Sequence, residues 1–155
     1  MIVENFEDFA AALPGFRPLL GLDLGTRTIG VASSDALPLG HPVETIKRSK
    51  FTADADRLLA IAADRDAAGI ILGLPRNMDG SEGPRCQSTR AFARNLAART
   101  DLPIGYWDER LSTVAAERAL IEADLTRKRR AEVIDAVAAA YILQGALDRI
   151  RHLKA

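Results

Sequence analysis

The sequence predicts one α/β domain built on a five-stranded mixed sheet with helices on both faces, in three layers. Two apolar runs joined by a short glycine-containing turn, residues 19–24 and 28–34, suit an antiparallel hairpin. Further along, strand-length apolar runs alternate with helical segments, which is typical of parallel strands linked by crossover helices. The chain has 155 residues, 48% of them hydrophobic, and so can bury one core of ordinary size.

A short amphipathic helix is expected ahead of this domain. Apolar residues recur at helical spacing from Val3 to Leu13, and a Pro-Gly pair then breaks the pattern. We therefore divide the chain into an N-terminal extension, residues 1–16, and a single domain, residues 17–155.

The next elements follow in order after the hairpin. A third strand is predicted over residues 42–47, and residues 52–67 carry the apolar face of a helix. Residues 69–74 form a buried strand that Pro75 ends. The turn-forming residues 76–83 then predict a loop, which is either a mobile flap or an ordinary surface turn.

The C-terminal half begins with a helix over residues 84–99, because Pro84 suits its first turn. Residues 103–107 form the fifth strand. Ser112 can cap a helix that runs to about residue 123. A charged connection, residues 124–130, leads into a long helix that ends near residue 150.

Charge and cysteine content exclude several classes of protein. Lys+Arg and Asp+Glu both number 21, so any nucleic-acid surface has to be a local patch. The single Cys86 excludes an internal disulfide and a cysteine-rich zinc site, and we expect it to be an idle thiol. No apolar run reaches the roughly 20 residues of a membrane span, and the acidic N-terminus is unlike a secretory signal. We expect a cytoplasmic protein.

An acidic residue interrupts the first apolar strand. On that strand Leu20, Leu22 and Leu24 share one face, and Asp23 lies on the other. Burying a carboxylate there costs free energy unless it is paired or bound to a cation. Asp23 is therefore a candidate site residue, with capping of the following turn by its side chain as the alternative.

The long C-terminal helix carries a second acid on an apolar face. Asp135 shares its stripe with Ala138 and Ile142, so we expect its carboxylate to be buried. Either it belongs to the same site as Asp23, or it forms a structural ion pair with a cation from the run 127–130.

A third acid follows the fifth strand, where ligand crevices of α/β sheets commonly lie. Asp108 and Glu109 point to opposite sides if the strand continues, so only one of them can join Asp23. Asp23, Glu109 and Asp135 together offer oxygen ligands without His or Cys, which suits Mg²⁺ or Mn²⁺. Two such ions can activate a water and stabilise the leaving oxygen in phosphodiester hydrolysis.

Four sequence blocks occur in an order that is similar to one known family. The blocks are LLGLDLGTRTIGVASSD, LGLPRNMDGSEGP, DERLST and IDAVAAAYILQ. Across roughly residues 19–150 they resemble the pre-16S ribosomal RNA nucleases, also called Holliday-junction-resolvase-like proteins.

This resemblance implies a ribonuclease H-like fold, a cytoplasmic location and metal-dependent cleavage that matures the 5′ end of pre-16S ribosomal RNA. It carries the family's catalytic and metal-binding acids onto Asp23, Glu109 and Asp135, all of which are intact. The implied partners are precursor ribosomal RNA or structured DNA, together with ribosomal particles, and no membrane. The chain is expected to be a monomer or a homodimer. Residues 1–16 precede the usual start of the family.

A run of four cations lies just before the Asp135 helix. Positive charge is unfavourable at a helix N-terminus, so we interpret the run as phosphate contacts rather than as a solvated face. Two further arginines adjoin the family blocks. The expected nucleic-acid contacts are Arg127, Lys128, Arg129 and Arg130, with Arg76 and Arg110.

Three other functions compete with ribosomal RNA processing. The chain could resolve Holliday junctions or other structured DNA, or it could be a non-catalytic RNA-binding factor in ribosome assembly. The intact acids argue against the second of these. LDLGT also resembles the first phosphate loop of actin and Hsp70 ATPases, but those proteins hold ATP between two domains and this chain has one.

Overall fold

The computed structural model describes residues 1–15, 17–35, 39–111 and 127–154, with side chains in the last range from residue 134 onward. It contains six strands and four helices in these ranges. They are β1 (Ile2–Val3), α1 (Phe6–Ala12), β2 (Leu19–Leu24), β3 (Thr28–Ser34), β4 (Gly40–Lys47), α2 (Phe51–Asp64), β5 (Gly69–Leu74), α3 (Pro84–Ala97), β6 (Ile104–Asp108) and α4 (Arg127–Lys154), with a 3₁₀ turn at Glu109–Leu111.

The strands form one mixed sheet in the order β1-β6-β5-β2-β3-β4. The pairs from β1 to β2 are parallel, and β2, β3 and β4 are antiparallel neighbours. The predicted α/β class and the predicted hairpin are therefore confirmed. The strand count of five was wrong, because Ile2 and Val3 pair in parallel with Ile104 and Gly105 and add a sixth strand at the edge.

The first residues of the chain form part of the domain: Ile2 and Val3 are a strand of the sheet, and the helix that follows packs against it. A helix lies in this segment, but it begins at Phe6, and Val3 belongs to β1. Asn5 caps the helix by accepting a hydrogen bond from the amide of Asp8. Phe9 is fully buried over Gly105, where an added Cβ would lie 2.8 Å from the phenyl ring. The missing side chain at Gly105 thus lets α1 sit against β6.

Hydrophobic cores lie on both faces of the sheet. Alternation along β2 sends Leu20 and Leu22 into the core beneath α2 and α3, and sends Leu19 into the core beneath α1 and α4. This is the division of faces that the sequence predicts. No helix in the described ranges is long and apolar enough to cross a membrane.

Several element ends differ from their predicted positions. β4 begins at Gly40 and β6 continues to Asp108. The largest correction concerns the charged connection predicted over 124–130, because residues 127–130 already belong to α4. The predicted helix over 112–123, with its Ser112 cap, lies outside the described residues.

An arginine of α3 joins three separate parts of the chain. The Arg90 guanidinium donates to Glu82 (Nε to Oε1, 2.6 Å) and to Glu4 (Nη1 to Oε1, 2.8 Å). It also lies 4.8 Å from the centre of the Tyr106 ring. The N-terminal segment, the loop before α3 and β6 are therefore held by one half-buried cation.

We expect Arg90→Ala to destabilise the protein at pH 7 by about 2 kcal/mol, the range for charged hydrogen bonds. The Arg90 hydrogen bond lowers the pKa of Glu82, so this stabilisation is present above the ordinary carboxyl range and is lost as pH falls through the lowered folded pKa. Urea unfolding at pH 7 and near pH 3 measures it, with Arg94→Ala on the same helix as control. A penalty that is equal at both pH values would contradict the ionic contribution.

Candidate functional site

Asp23 is a buried acid on the face of β2 that α4 covers. Its side chain is 6% exposed. Gly21, two residues earlier on the same face, would place an added Cβ 2.8 Å from the Cβ of Leu143 in α4. The turn after β2 is closed by its own backbone, because the amide of Gly25 donates to the carbonyl oxygen of Thr28 at 2.8 Å. Capping by Asp23 is therefore not needed to close this turn.

Both strands beside Asp23 carry a glycine at its level. Gly30 of β3 is its direct partner in the antiparallel ladder. On the other side, Leu22 pairs with Leu72 of β5, so the parallel register continued by one residue brings Gly73 next to Asp23. Isolated glycines inside strands commonly mark places where other groups approach the backbone closely.

The two glycines admit the two other predicted acids. An added Cβ at Gly30 would lie 1.9 Å from the carbonyl oxygen of Asp135, so the backbone of α4 rests directly on the sheet there. An added Cβ at Gly73 would lie 3.2 Å from Oε1 of Glu109 and 2.6 Å from Cδ1 of Ile142. The structure thus places Asp135 and the Glu109 carboxylate on the α4 face of the sheet, on the two sides of Asp23.

The neighbouring acids Asp108 and Glu109 have different surroundings, although β6 ends at Asp108 and does not continue through Glu109 as the predicted alternation assumed. Asp108 ends β6 and binds Arg110, with Nη2 and Oδ2 2.7 Å apart. The Arg110 hydrogen bond lowers the pKa of Asp108, so Asp108 is a carboxylate that forms an ion pair with Arg110. Glu109 begins the 3₁₀ turn, and its carboxylate lies over Gly73. The Asp108–Arg110 pair therefore fixes the turn that carries Glu109.

Asp135 is only half-buried, so the expectation of a buried carboxylate was wrong. The hydroxyl of Thr28, at the start of β3, donates a hydrogen bond to its Oδ2. The alternative was an ion pair between Asp135 and a cation of the run 127–130. The side chains of that run lie outside the part of the chain that the structure describes. The backbone of that run forms the first turn of α4.

The donor chemistry of this face fits a hard divalent cation. Asp23, Glu109 and Asp135 supply only carboxylate oxygens, the ligands that Mg²⁺ and Mn²⁺ prefer. The absence of side chains at Gly30 and Gly73 lets Asp135 and the Glu109 carboxylate approach the same face of the sheet. Within the described part of the chain, however, no three His, Cys, Asp or Glu side chains stand close enough to hold an ion as they are. The three acids therefore lie on one face of the sheet, but they do not form a preorganised metal-coordination site.

The two isolated arginines predicted to contact nucleic acid are engaged inside the protein. Arg76 lies 3.5 Å from a carboxylate oxygen of Glu82. Arg110 binds Asp108 and also donates to the carbonyl oxygen of Met78, so it holds the loop 76–83 against the 3₁₀ turn. The loop is also held by an internal hydrogen bond, in which the amide of Asn77 donates to the carbonyl oxygen of Ser81 at 2.9 Å.

Cys86, in the first turn of α3, is fully buried. Burial raises the pKa of its thiol, which fits the expected idle role. Sequence reasoning missed Thr28, Gly30 and Gly73. Gly73 carried a usable signal, because it interrupts an otherwise apolar strand.

Comparison with known proteins gives consistent results. A family model described as "RuvX: Holliday junction resolvase" matches residues 17–149. A protein of Ruegeria sp. (strain TM1040) is 72% identical over 155 residues, covering 99% of each chain. A protein of Roseobacter denitrificans is 71% identical over 158 residues, covering 100% of this chain and 97% of the relative. Both relatives bear the name "Putative pre-16S rRNA nuclease".

Among solved structures, the fold is similar to that of Thermus thermophilus RuvC in complex with a Holliday junction substrate. The TM-score is 0.53 at 13% sequence identity, over 86% of this chain and 95% of that chain. A second Thermus thermophilus RuvC structure gives a TM-score of 0.52 at 14% sequence identity. At this level of identity the likeness concerns the fold alone, and it agrees with the ribonuclease H-like architecture that the resemblance implies.

Proposed function

The chain belongs to the RuvX family of Holliday junction resolvases, and from this membership we propose that it is a divalent-metal-dependent nuclease that processes precursor 16S ribosomal RNA in the cytoplasm. The observation that carries the proposal is the pair of glycines beside Asp23. Gly30 and Gly73 let Asp135 and Glu109 reach the same face of the sheet as Asp23.

Asp23, Glu109 and Asp135 would hold Mg²⁺ or Mn²⁺ on this face. When bound, such ions activate a water and stabilise the leaving oxygen of a phosphodiester. The other residues position these acids. Thr28 orients the carboxylate of Asp135 through its hydroxyl, and the Asp108–Arg110 pair fixes the turn that begins with Glu109.

The choice of substrate rests on the relatives. Proteins about 70% identical over nearly their whole length are named for pre-16S rRNA, which favours a ribosomal precursor, bound free or within a ribosomal particle. The run Arg127 to Arg130 begins α4 eight residues before Asp135, and we propose it as a contact for the phosphates of that precursor.

A second candidate substrate is a four-way DNA junction. The description of the matching family favours it, since that family is named for Holliday junction resolution. Both substrates are phosphodiesters, so the same three acids would serve either reaction. The difference between them lies in the surfaces that bind the flanking strands.

Cleavage is expected to require Mg²⁺ or Mn²⁺. We expect EDTA to lower the rate by at least about a thousandfold, because the loss of several kcal/mol of charge stabilisation corresponds to that factor. The assay uses purified protein with labelled precursor ribosomal RNA, unstructured single-stranded RNA and a four-way DNA junction. Readdition of Mg²⁺ should restore activity.

Each other outcome of this assay has a defined meaning. Undiminished cleavage in EDTA would contradict metal dependence. Faster cleavage of the junction than of precursor RNA would favour the resolvase. Tight binding of precursor RNA without cleavage in either metal would indicate a non-catalytic assembly factor.

A further inference from the structure

An open groove that contains two arginines lies at the end of β2, on the α3 side of the sheet. Its volume is about 590 Å³, and its walls come from the turn after β2, the segment after β4 and the first turns of α3. The residues that matter here are Gly25, Thr26, Arg48, Arg85 and Ser88. None of the residues assigned to the predicted site lines it.

The groove contains two arginines whose charge is not neutralised by the described residues. Arg48 donates from Nη1 to the carbonyl oxygen of Gly25 at 2.6 Å, and Arg85 donates from Nη2 to that of Leu24 at 3.4 Å. Neither forms an ion pair with a described carboxylate. By contrast, Arg76 and Arg110 both face acids. The groove arginines therefore keep their positive charge and further N–H donors for an external anion.

The positions of these guanidinium groups are fixed by packing as well as by hydrogen bonds. Arg48 lies 5.7 Å from the centre of the Phe92 ring in α3. Arg85 is the second residue of α3, whose N-cap Gly83 makes no side-chain capping bond. Because Pro84 has no amide hydrogen, the first free amide of the helix belongs to Arg85, which lines the groove.

The turn between β2 and β3 separates the groove from the acids. Gly25 and Thr26 form one wall of the groove, while Thr28 of the same connection binds Asp135 on the α4 side. A strand that crosses this turn would therefore contact the groove on one side and the acids on the other. None of the described residues that line the groove is aromatic, so none of them offers a ring on which a base could stack.

We propose that this groove binds the phosphodiester backbone of the substrate strand, next to the bond that the acids cleave. The proposal rests on the proposed nuclease function. The donors are two guanidinium groups, hydroxyls and the amide of Arg85, all of which bind phosphate oxygens, and contacts to phosphate carry no sequence information. The groove is therefore a sequence-independent contact that positions the strand.

The double variant Arg48→Gln, Arg85→Gln removes both charges and keeps amide donors for the two carbonyl oxygens. We expect the slope of log affinity against log salt concentration to fall by about 1.4, since each contact to a single strand contributes about 0.7. At 0.1 M salt this corresponds to affinity about 25-fold lower. Fluorescence anisotropy with a labelled single-stranded RNA, in EDTA to prevent cleavage, measures both quantities.

A matched control removes the same charge elsewhere. Arg65→Gln with Arg94→Gln also replaces two exposed arginines that face no described carboxylate, and neither lines the groove. The control should bind as the wild type does. If the double variant melts below the wild type, the single variant Arg85→Gln, with an expected slope change of about 0.7, replaces it.

The results separate this proposal from the proposed function. If the salt slope of the groove variant is unchanged and the wild type cleaves normally, the proposed phosphate contact in the groove is wrong. The proposed nuclease function is then unaffected. A reduced slope without cleavage in any metal would support the groove and contradict the nuclease. Tight binding of free ATP that the double variant abolishes, with RNA binding unchanged, would overturn the assignment to a strand.

Discussion

Replacing Gly30 with alanine is expected to lower the free energy of unfolding by about 3 kcal/mol or more, at the upper end of the cost of overpacking a core. The added Cβ would lie 1.9 Å from the carbonyl oxygen of Asp135 and 2.3 Å from its carbonyl carbon. Both atoms are helix backbone, so no rotamer change can relieve the contact. The helix α4 has to move off β3, and Asp135 moves with it. We therefore expect cleavage to be lost together with stability.

Gly73→Ala makes the same substitution on the other side of Asp23, where the neighbouring atoms can move more easily. The atoms near its added Cβ are Cδ1 of Ile142 and the carboxylate of Glu109, which are ends of side chains and can rotate away. We expect a smaller loss of stability but a displaced Glu109, and hence a large loss of activity. Thermal melts should therefore separate the two variants, with Gly30→Ala melting lower, whereas cleavage should be largely lost in both.

Gly83→Ala serves as the control for these glycine variants. Its nearest heavy atom would be Nδ2 of Asn77 at 3.6 Å, an ordinary contact. Its cost should stay below about 1 kcal/mol, the weaker preference of alanine for an N-cap. If Gly30→Ala melts as the wild type does, α4 does not rest on β3 at this point. The placement of Asp135 beside Asp23 would then be wrong.

The sequence predicts the fold well wherever a local pattern fixes an element. Alternation along β2 predicts both its extent and the burial of Asp23, and Pro84 marks the start of α3. β1 could not be predicted in this way, because Ile2 and Val3 are too few to show a period and form a strand only by pairing with β6. The start of α4 was misplaced because the charges of 127–130 suggested a connection, although Lys and Arg are good helix formers.

The site was less accessible to sequence reasoning, because its geometry depends on contacts between distant segments. Thr28 and Asp135 are 107 residues apart, and nothing local pairs them. Arg76 and Arg110 were chosen because they adjoin the family blocks, yet acids near them in the fold neutralise their charges. The groove around Arg48 and Arg85 was also missed, because its geometry depends on contacts between distant segments. It is assembled from three segments that only the sheet brings together.

Changing Asp135 to Asn tests whether the acids form a metal site. The substitution keeps the volume and an oxygen that can accept the hydrogen bond of Thr28, so in EDTA the stability should stay within about 1 kcal/mol of the wild type. At about 100 times its dissociation constant, Mn²⁺ should stabilise the wild type by about 2.7 kcal/mol and the variant by much less. Cleavage should fall by about a thousandfold. Asp148→Asn is the matched control, since it makes the same change in α4 at an exposed acid paired with Arg151.

The ion-pair alternative predicts a different set of melts. If Asp135 neutralises a cation of the run 127–130, removing its charge leaves that cation without its partner. The cost would approach the 3–5 kcal/mol of a broken buried pair, reduced because Asp135 is only half-buried. The variant would then melt well below the wild type in EDTA, and Mn²⁺ would shift neither protein. That result would leave Asp23 and Glu109 as the only acids of the site, too few ligands for two metal ions, and the metal-dependent mechanism would have to be abandoned.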